Sequence, residues 1–239
     1  MNTVKFEKGN VLMVAHQGLS GIEPGNTNAA FIAAGNRSYY GIETDMHITA
    51  DGRFVVNHDE TILKAAGENI AIKDASLSVL QSALFYEKDK SKTRADLRLC
   101  TLENYVSTCK RYEKQCVLEL KPAFSDEETA AFIDIIKKLD YIDNVTFISF
   151  EYENLVKIRR LIPNQSVQFL FHKLTDEIIE RVIADGFDVD AYYKTLNADV
   201  VKRFHDAGVK INCWTVDTKE EAEVLVKMGV DYITSNILE

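Results

Sequence analysis

Residues 41–60 read GIETDMHITADGRFVVNHDE, and the way this stretch folds back on itself decides the architecture. Residues 41–45 form a short run of buried-strand type with Glu43 and Asp45 set into it. Residues 52–57 (GRFVVN) read as another strand, yet only a few residues separate the two. A parallel crossover needs about a dozen residues or more, and Ala50-Asp51-Gly52 is a turn signal. Residues 43–57 therefore make a hairpin-like excursion. The region of approximately 46–100 is an insertion between the second strand and its following helix near 102–113, with one short helix at 75–84.

Outward from this stretch, short apolar runs alternate with helical patterns. With 41–45, the runs at 11–15, 116–120, 145–149, 167–171, 188–192, 210–215 and 231–234 make eight strands. Apolar spacing near 3.6 marks helices at 126–139, 152–161, 176–185, 198–207 and 219–228. Ser125 precedes an acidic first turn, and Gly186, Gly208 and Gly229 stand where helices stop. Eight strands separated by helices predict an α/β fold, a (β/α)8 TIM barrel with a small insertion after strand two. The whole of 1–239 is then one domain carrying the inserted subregion. A doubly wound open sheet would want G-x-G-x-x-G after the first strand, and none occurs there.

The bulk properties agree with one globular domain of 239 residues, 46% of them hydrophobic. A formal net charge of −9 argues against a nucleic-acid partner. The densest basic stretch, 87–98, interleaves Lys88, Lys90, Lys92 and Arg94 with Glu87, Asp89 and Asp96, and reads as a solvated face, not a binding patch. The four cysteines form no C-x-x-C pair and fit reduced thiols, which points to the cytoplasm. The N-terminus shows no secretory pattern, and no run approaches the length of a membrane span. Monomer and homo-oligomer both remain open.

Active sites of such barrels form at the C-terminal ends of the strands. His16 ends the first strand, Glu43 and Asp45 share one face of the second, and Glu119 and Lys121 share one face of the third. His58-Asp59 ends the excursion. Carboxylates crowded into a barrel mouth repel one another, and a bound cation is the usual compensation. Three hard oxygen donors suit Mg²⁺ or Ca²⁺ better than Zn²⁺. For Glu43 and Asp45 alone, a solvated acidic pair is the bland alternative; the third carboxylate weighs against it. Two imidazoles can serve as general acid and general base for displacement at phosphorus. Lys121 can neutralise a phosphoryl oxygen, or merely pair with Glu119 or Asp45. Trp214, Phe150 and His172 are placed at the rim as substrate contacts, with barrel packing as the alternative for Trp214. His47 lies past the strand, in the excursion, and His205 on a helix surface.

These residues resemble a known family. His16-Gln17-Gly18 with Pro24-Gly25-Asn26-Thr27 is similar to the H-R-G…P-E-N-T opening of the glycerophosphodiester phosphodiesterases. Residues 43–59 resemble its E-x-D-V…T-x-D-G…V-V-x-H-D block, and 118–121 its L-E-I-K. Residues 214–217 resemble W-T-V-N, and 229–233 the start of its closing G-V-D-x-I-x-T-D. The resemblance implies one divalent metal on Glu43, Asp45 and Glu119, an acid/base pair in His16 and His58, and phosphate contact by Lys121. It implies cleavage of a small-molecule glycerophosphodiester to an alcohol and sn-glycerol 3-phosphate. Gln17 and Gly25 stand where the family has Arg and Glu, and Ser235-Asn236 where it has T-D. Because the first two are lost together, they are read as one partnered replacement, with Gln17 kept among the substrate contacts. The alternatives are a sphingomyelinase D-like lyase or transferase that forms a cyclic phosphate, and a binding homologue without turnover.

Overall fold

In the computed structural model, which describes residues 2–239, ten strands form one sheet. They are β1 (Leu12–Ala15), β2 (Gly41–Ile48), β3 (Phe54–Val56), β4 (Cys100–Thr101), β5 (Gln115–Leu120), β6 (Val145–Ser149), β7 (Ser166–Phe171), β8 (Asp188–Tyr192), β9 (Ile211–Trp214) and β10 (Tyr232–Ser235). The parallel strands run β1-β2-β5-β6-β7-β8-β9-β10, and pairing of β1 with both β2 and β10 closes the ring. The fold is a (β/α)8 barrel. Closure explains why these strands are so apolar: each is covered by helices outside and by the other strands inside.

The helices are α1 (Asn28–Gly35), α2 (Leu63–Ala66), α3 (Leu77–Ser82), α4 (Leu102–Arg111), α5 (Asp126–Lys138), α6 (Tyr152–Leu161), α7 (Asp176–Asp185), α8 (Ala198–Asp206) and α9 (Lys219–Met228). Their ends follow local chemistry. Ser125 and Glu128 form a reciprocal capping box at α5. Gly186 and Gly229 take the left-handed conformation that ends α7 and α9. Along the strands, alternate residues go to different cores. Met13, Leu118, Phe147 and Phe171 join the helices in the main core. Val14, Val117, Ile148 and Leu170 meet inside the barrel beneath Trp214.

The excursion is a hairpin. β3 pairs antiparallel with the end of β2 (Met46↔Val56, Ile48↔Phe54), and β4 pairs antiparallel with β3. Gly52 supplies the left-handed turn, and Thr49 Oγ1 donates to Asp51 Oδ1 across it. The insertion carries its own apolar cluster, including Val55, Ile62, Ile72, Leu80, Phe85 and Leu97.

Four elements differ from the sequence reading. α1 was not foreseen, because NAAFIAAG is small and apolar on all sides and shows no periodic stripe. α2 was not foreseen either; it is a single turn. The expected helix at 75–84 shortens to α3, which Ser76 caps. His47 lies within β2, opposite Val55, not beyond the strand, because the hairpin extends β2 to Ile48. It is buried there, outside the cavity described next.

Candidate active site

The register of the parallel strands builds a carboxylate cluster. Asp45 on β2 lies directly beside Glu119 on β5, and Glu43 sits one turn of the pleat below Asp45 on the same face. Ligand oxygens of Glu43, Asp45 and Glu119 all lie within 4.8 Å of one another, and all three residues are buried. Lys121, just past β5, reaches Glu119 Oε1 at 3.0 Å and Asp45 Oδ1 at 3.4 Å. One ammonium among three buried carboxylates leaves uncompensated negative charge. Asp45 Oδ1 makes no hydrogen bond and has only the Lys121 ammonium, at 3.4 Å, beside it, so it can take a further cation. The donor set and the incompletely satisfied oxygen fit a divalent cation.

The electrostatics report the same strain. Burial first, then Asp45 and Glu119, push the Glu43 carboxyl well above its ordinary value. Burial and Asp45 push Glu119 up to about 8. Burial also acts upward on Asp45, but Lys121, His58 and the Asn26 hydrogen bond outweigh it and hold the group low. Burial disfavours the Lys121 charge, yet Asp45 and Glu119 more than restore it.

This strain has a measurable consequence without cation. Between pH 4.5 and about 8 the folded protein holds a proton on Glu119 that the unfolded chain has released. Stability therefore falls with rising pH across that range, and the raised Glu43 and Asp190 carboxyls act in the same direction. Below pH 6.5 the depressed, burial-disfavoured His16 and His47 act oppositely, since folding sheds their protons. In chelator, the urea midpoint should fall from pH 6.5 to pH 8. A midpoint that climbs over that interval would contradict the assignment.

Both histidines sit at the mouth. His16 follows β1, and its backbone N–H donates to Ser235 O. Its Nδ1 lies 2.8 Å from Asn236 Oδ1, and its Nε2 3.9 Å from Glu43 Oε2. Asn236 Nδ2 donates to Asp217 Oδ2, so Asn236 Oδ1 is the acceptor and His16 Nδ1 carries the proton. Nε2 is left as the free lone pair. His58 repeats this arrangement, with Nδ1 2.8 Å from Asp59 Oδ1, while Asp59 also pairs with Lys64. Asn57, next to it, donates its backbone N–H to Asp45 O, which ties the insertion to β2.

A cavity of about 310 Å³ joins these groups: His16, Glu43, His58, Glu119 and Lys121 line it. Phe150, His172 and Trp214 form its aromatic wall. Phe150 stacks on His172 at 4.9 Å, and Trp214 meets His172 edge-on at 5.0 Å. Gln17 does not line this cavity. Its backbone N–H donates to Glu43 Oε2 at 2.7 Å, and its side chain turns to Gly25.

Three contributors were not singled out from sequence. Asn26, in the left-handed region, donates Nδ2 to Asp45 Oδ2 at 2.8 Å and accepts from Thr44 Oγ1. Asn236 fixes the His16 ring. Asp190 is buried in the cavity floor with Oδ1 unpartnered, and burial and Glu119 push its carboxyl well above the usual range. Asn26 stood inside a recognised motif and could have been found there; Asp190 left no local signal.

Positions 17 and 25 touch. A Cβ on Gly25 would lie 2.6 Å from Gln17 Oε1, so any side chain at 25 competes with Gln17 for space. Gln17→Arg alone puts an unpartnered charge into this gap, whereas adding Gly25→Glu supplies its partner. The single variant should be less stable and less active than the double one. Equal or better activity for the single variant would sink the coupling.

Comparison with known proteins gives a consistent result. A glycerophosphodiester phosphodiesterase of Caldanaerobacter subterraneus subsp. tengcongensis is 27% identical over 94% of this chain and 93% of its own length. A phosphodiesterase of Oleispira antarctica, solved in complex with the product sn-glycerol-3-phosphate, superposes with a TM-score of 0.87 at 24% identity, covering 94% of this chain and 92% of that one. A glycerophosphodiester phosphodiesterase of Parabacteroides distasonis superposes with a TM-score of 0.79 at 26% identity, covering 95% and 93%. Residues 16–238 match the model of the glycerophosphoryl diester phosphodiesterase family. The chain belongs to that family, and its enzyme class is phosphoric diester hydrolase.

Proposed function

We propose that this chain hydrolyses glycerophosphodiesters to an alcohol and sn-glycerol 3-phosphate at the barrel mouth, with one divalent cation, Mg²⁺ or Ca²⁺, held by Glu43, Asp45 and Glu119. The observation that carries this reading is the convergence of those three buried carboxylates beside His16 and Lys121. The product bound to the Oleispira relative supports the same glycerol phosphate moiety here. When bound, the cation supplies positive charge that polarises the phosphoryl oxygens and makes an attacking water more acidic.

The chain's own groups do the rest. Burial holds the His16 pKa below its ordinary value, so His16 is neutral at pH 7 with Nε2 free to accept the proton of the attacking water. His58, on the insertion, acts from the doubly protonated ring: Asp59 holds Nδ1–H, and Nε2 gives its proton to the leaving alcohol oxygen as the phosphorus–oxygen bond breaks. Lys121 draws a phosphoryl oxygen by its charge. The wall of Phe150, His172 and Trp214 packs against the carbon skeleton of the glycerol and limits water. Gln17 contacts substrate on the side of the leaving alcohol.

The same proposal takes 1–239 as one domain with an inserted subregion at about 46–100. The hairpin pairing and the Arg94–Glu23 ion pair at 2.7 Å, from insertion to the loop after β1, support it. No helix among the described residues is long and apolar enough to cross a membrane. A cytoplasmic location is proposed from the four free, buried cysteines.

Phosphorus NMR of the reaction mixture, with Mg²⁺, Ca²⁺ or EDTA, tests the reading. The expected product is the open monoester, formed only with cation. A cyclic phosphate would overturn hydrolysis in favour of a lyase, and equal turnover in EDTA would overturn the cation.

A further inference from the structure

We infer that the leaving alcohol occupies a second cavity, under the insertion, and that this cavity selects glycerophosphodiesters whose alcohol carries its own negative charge. This rests on the diesterase reading and adds a substrate class to it.

The second cavity holds about 380 Å³ and is lined by Gln17, Gly25, His58, Tyr86, Lys88 and Lys90, among others. His58 lines both cavities. A phosphodiester has two arms, and a proton donor to the leaving oxygen stands between them. With glycerol phosphate in the barrel mouth, the other arm extends past His58 into this space. Two neighbouring residues keep the space open. Gly25 contributes no side chain, and the uncharged Gln17 lies along it.

The two cavities differ in charge. The barrel mouth is lined by Glu43, Glu119 and Asp190 against the one ammonium of Lys121, so it takes a single phosphoryl group together with a cation. In the second cavity, Lys64, Lys88 and Lys90 face Asp59 and Glu87, which leaves one net positive charge in a chain of −9. Both carboxylates are already engaged. Asp59 holds His58 and Lys64, and Glu87 Oε1 accepts from Thr93 N and Oγ1. Neither Lys88 nor Lys90 forms an ion pair among the described residues. Lys88 is exposed and donates to Ser20 O; the nearest carboxylate acting on it, Glu23, is already paired with Arg94. Lys90 and Lys92 both lie over the Tyr86 ring, at 5.6 and 4.9 Å. Cations gathered this closely at a cavity wall favour an anion between them. Glu87, Lys88 and Lys90, from the stretch that reads in sequence as a solvated face, border this cavity while Lys88 and Lys90 stay exposed.

A phosphate or a carboxylate on the alcohol satisfies this chemistry. The test compares kcat/KM for four diesters of sn-glycerol 3-phosphate: with choline, with glycerol, with phosphoglycerol and with glycolate. The phosphoglycerol and glycolate diesters should exceed the glycerol diester by about 10-fold or more, the gain of one charge-assisted hydrogen bond, and choline should rank last. Phosphoglycerol above glycolate assigns the cavity to phosphate, and the reverse to carboxylate. Lys88→Gln combined with Lys90→Gln should bring the anionic-to-neutral ratio close to 1. A wild-type ratio of 1 or less, or a ratio the double variant leaves in place, overturns the inference while hydrolysis stands. No turnover of any diester overturns the diesterase reading and the inference together.

Discussion

Replacing His16 with alanine should lower kcat for a glycerophosphodiester by about 10²–10⁴-fold, the usual contribution of a positioned general base. The loss is expected to be large because the ring is fixed in one orientation and one tautomer. Asn236 fixes Nδ1 as the protonated nitrogen, and Asp217 fixes Asn236 in turn. Burial keeps the ring neutral at the pH where a base is needed. The substitution removes no carboxylate from the cluster, so the thermal shift caused by Mg²⁺ or Ca²⁺ should persist. Measuring both kcat and that shift separates lost chemistry from lost architecture. A kcat within tenfold of wild type would remove His16 from the mechanism.

The second large effect belongs to Glu43. A divalent cation at about 100 times its Kd adds roughly 2.7 kcal/mol of stability. In a chain of this length that raises Tm by roughly 5–11 °C. Glu43→Gln keeps the shape and the hydrogen bond from the Gln17 backbone N–H, but removes one of three crowded charges. Two effects of opposite sign should follow. The cation-induced shift should collapse, because one hard ligand is gone. The cation-free protein should become more stable than wild type near pH 8, because Glu43 no longer faces Asp45 and Glu119 in a buried site. Differential scanning with and without EDTA reads both. A full cation shift in the variant would exclude Glu43 as a ligand.

The barrel was legible because its strands are buried on both sides and therefore apolar throughout, and because the helices from α5 to α9 are amphipathic with conventional stops. α1 escaped for the converse reason. It packs small residues closely, as where Gly18 would place a Cβ 2.6 Å from the Ala30 carbonyl carbon, and close packing of small side chains leaves no periodic signature. The carboxylate cluster was legible from spacing, since residues two apart on a strand share a face. The partners that arrive from other strands were not: Asn236 reaches His16 from the far end of the chain, and only closure of the barrel makes them neighbours. The same holds for Asp190, an acidic residue in an apolar strand until the floor of the cavity surrounds it. Lys88 and Lys90 are exposed, as alternating charge predicts; that pattern reads the same whether or not the loop borders a cavity, so the cavity itself left no signal.

The hairpin that carries the chain out of β2 and back divides the work of the enzyme between two separately packed bodies. The proposed cation ligands stand on barrel strands and the proposed base just past one, where spacing is set by backbone pairing and tolerates little change. The proposed acid and the lysines proposed to read the alcohol stand on a segment with its own small core, anchored by Asn57 to β2 and by Arg94 to the loop after β1. Mutation can therefore redraw the choice of alcohol within that segment while the bond-breaking geometry is inherited intact. Diversification of substrates along a lineage of such enzymes should accumulate there, where a loop can be rewritten without renegotiating the barrel.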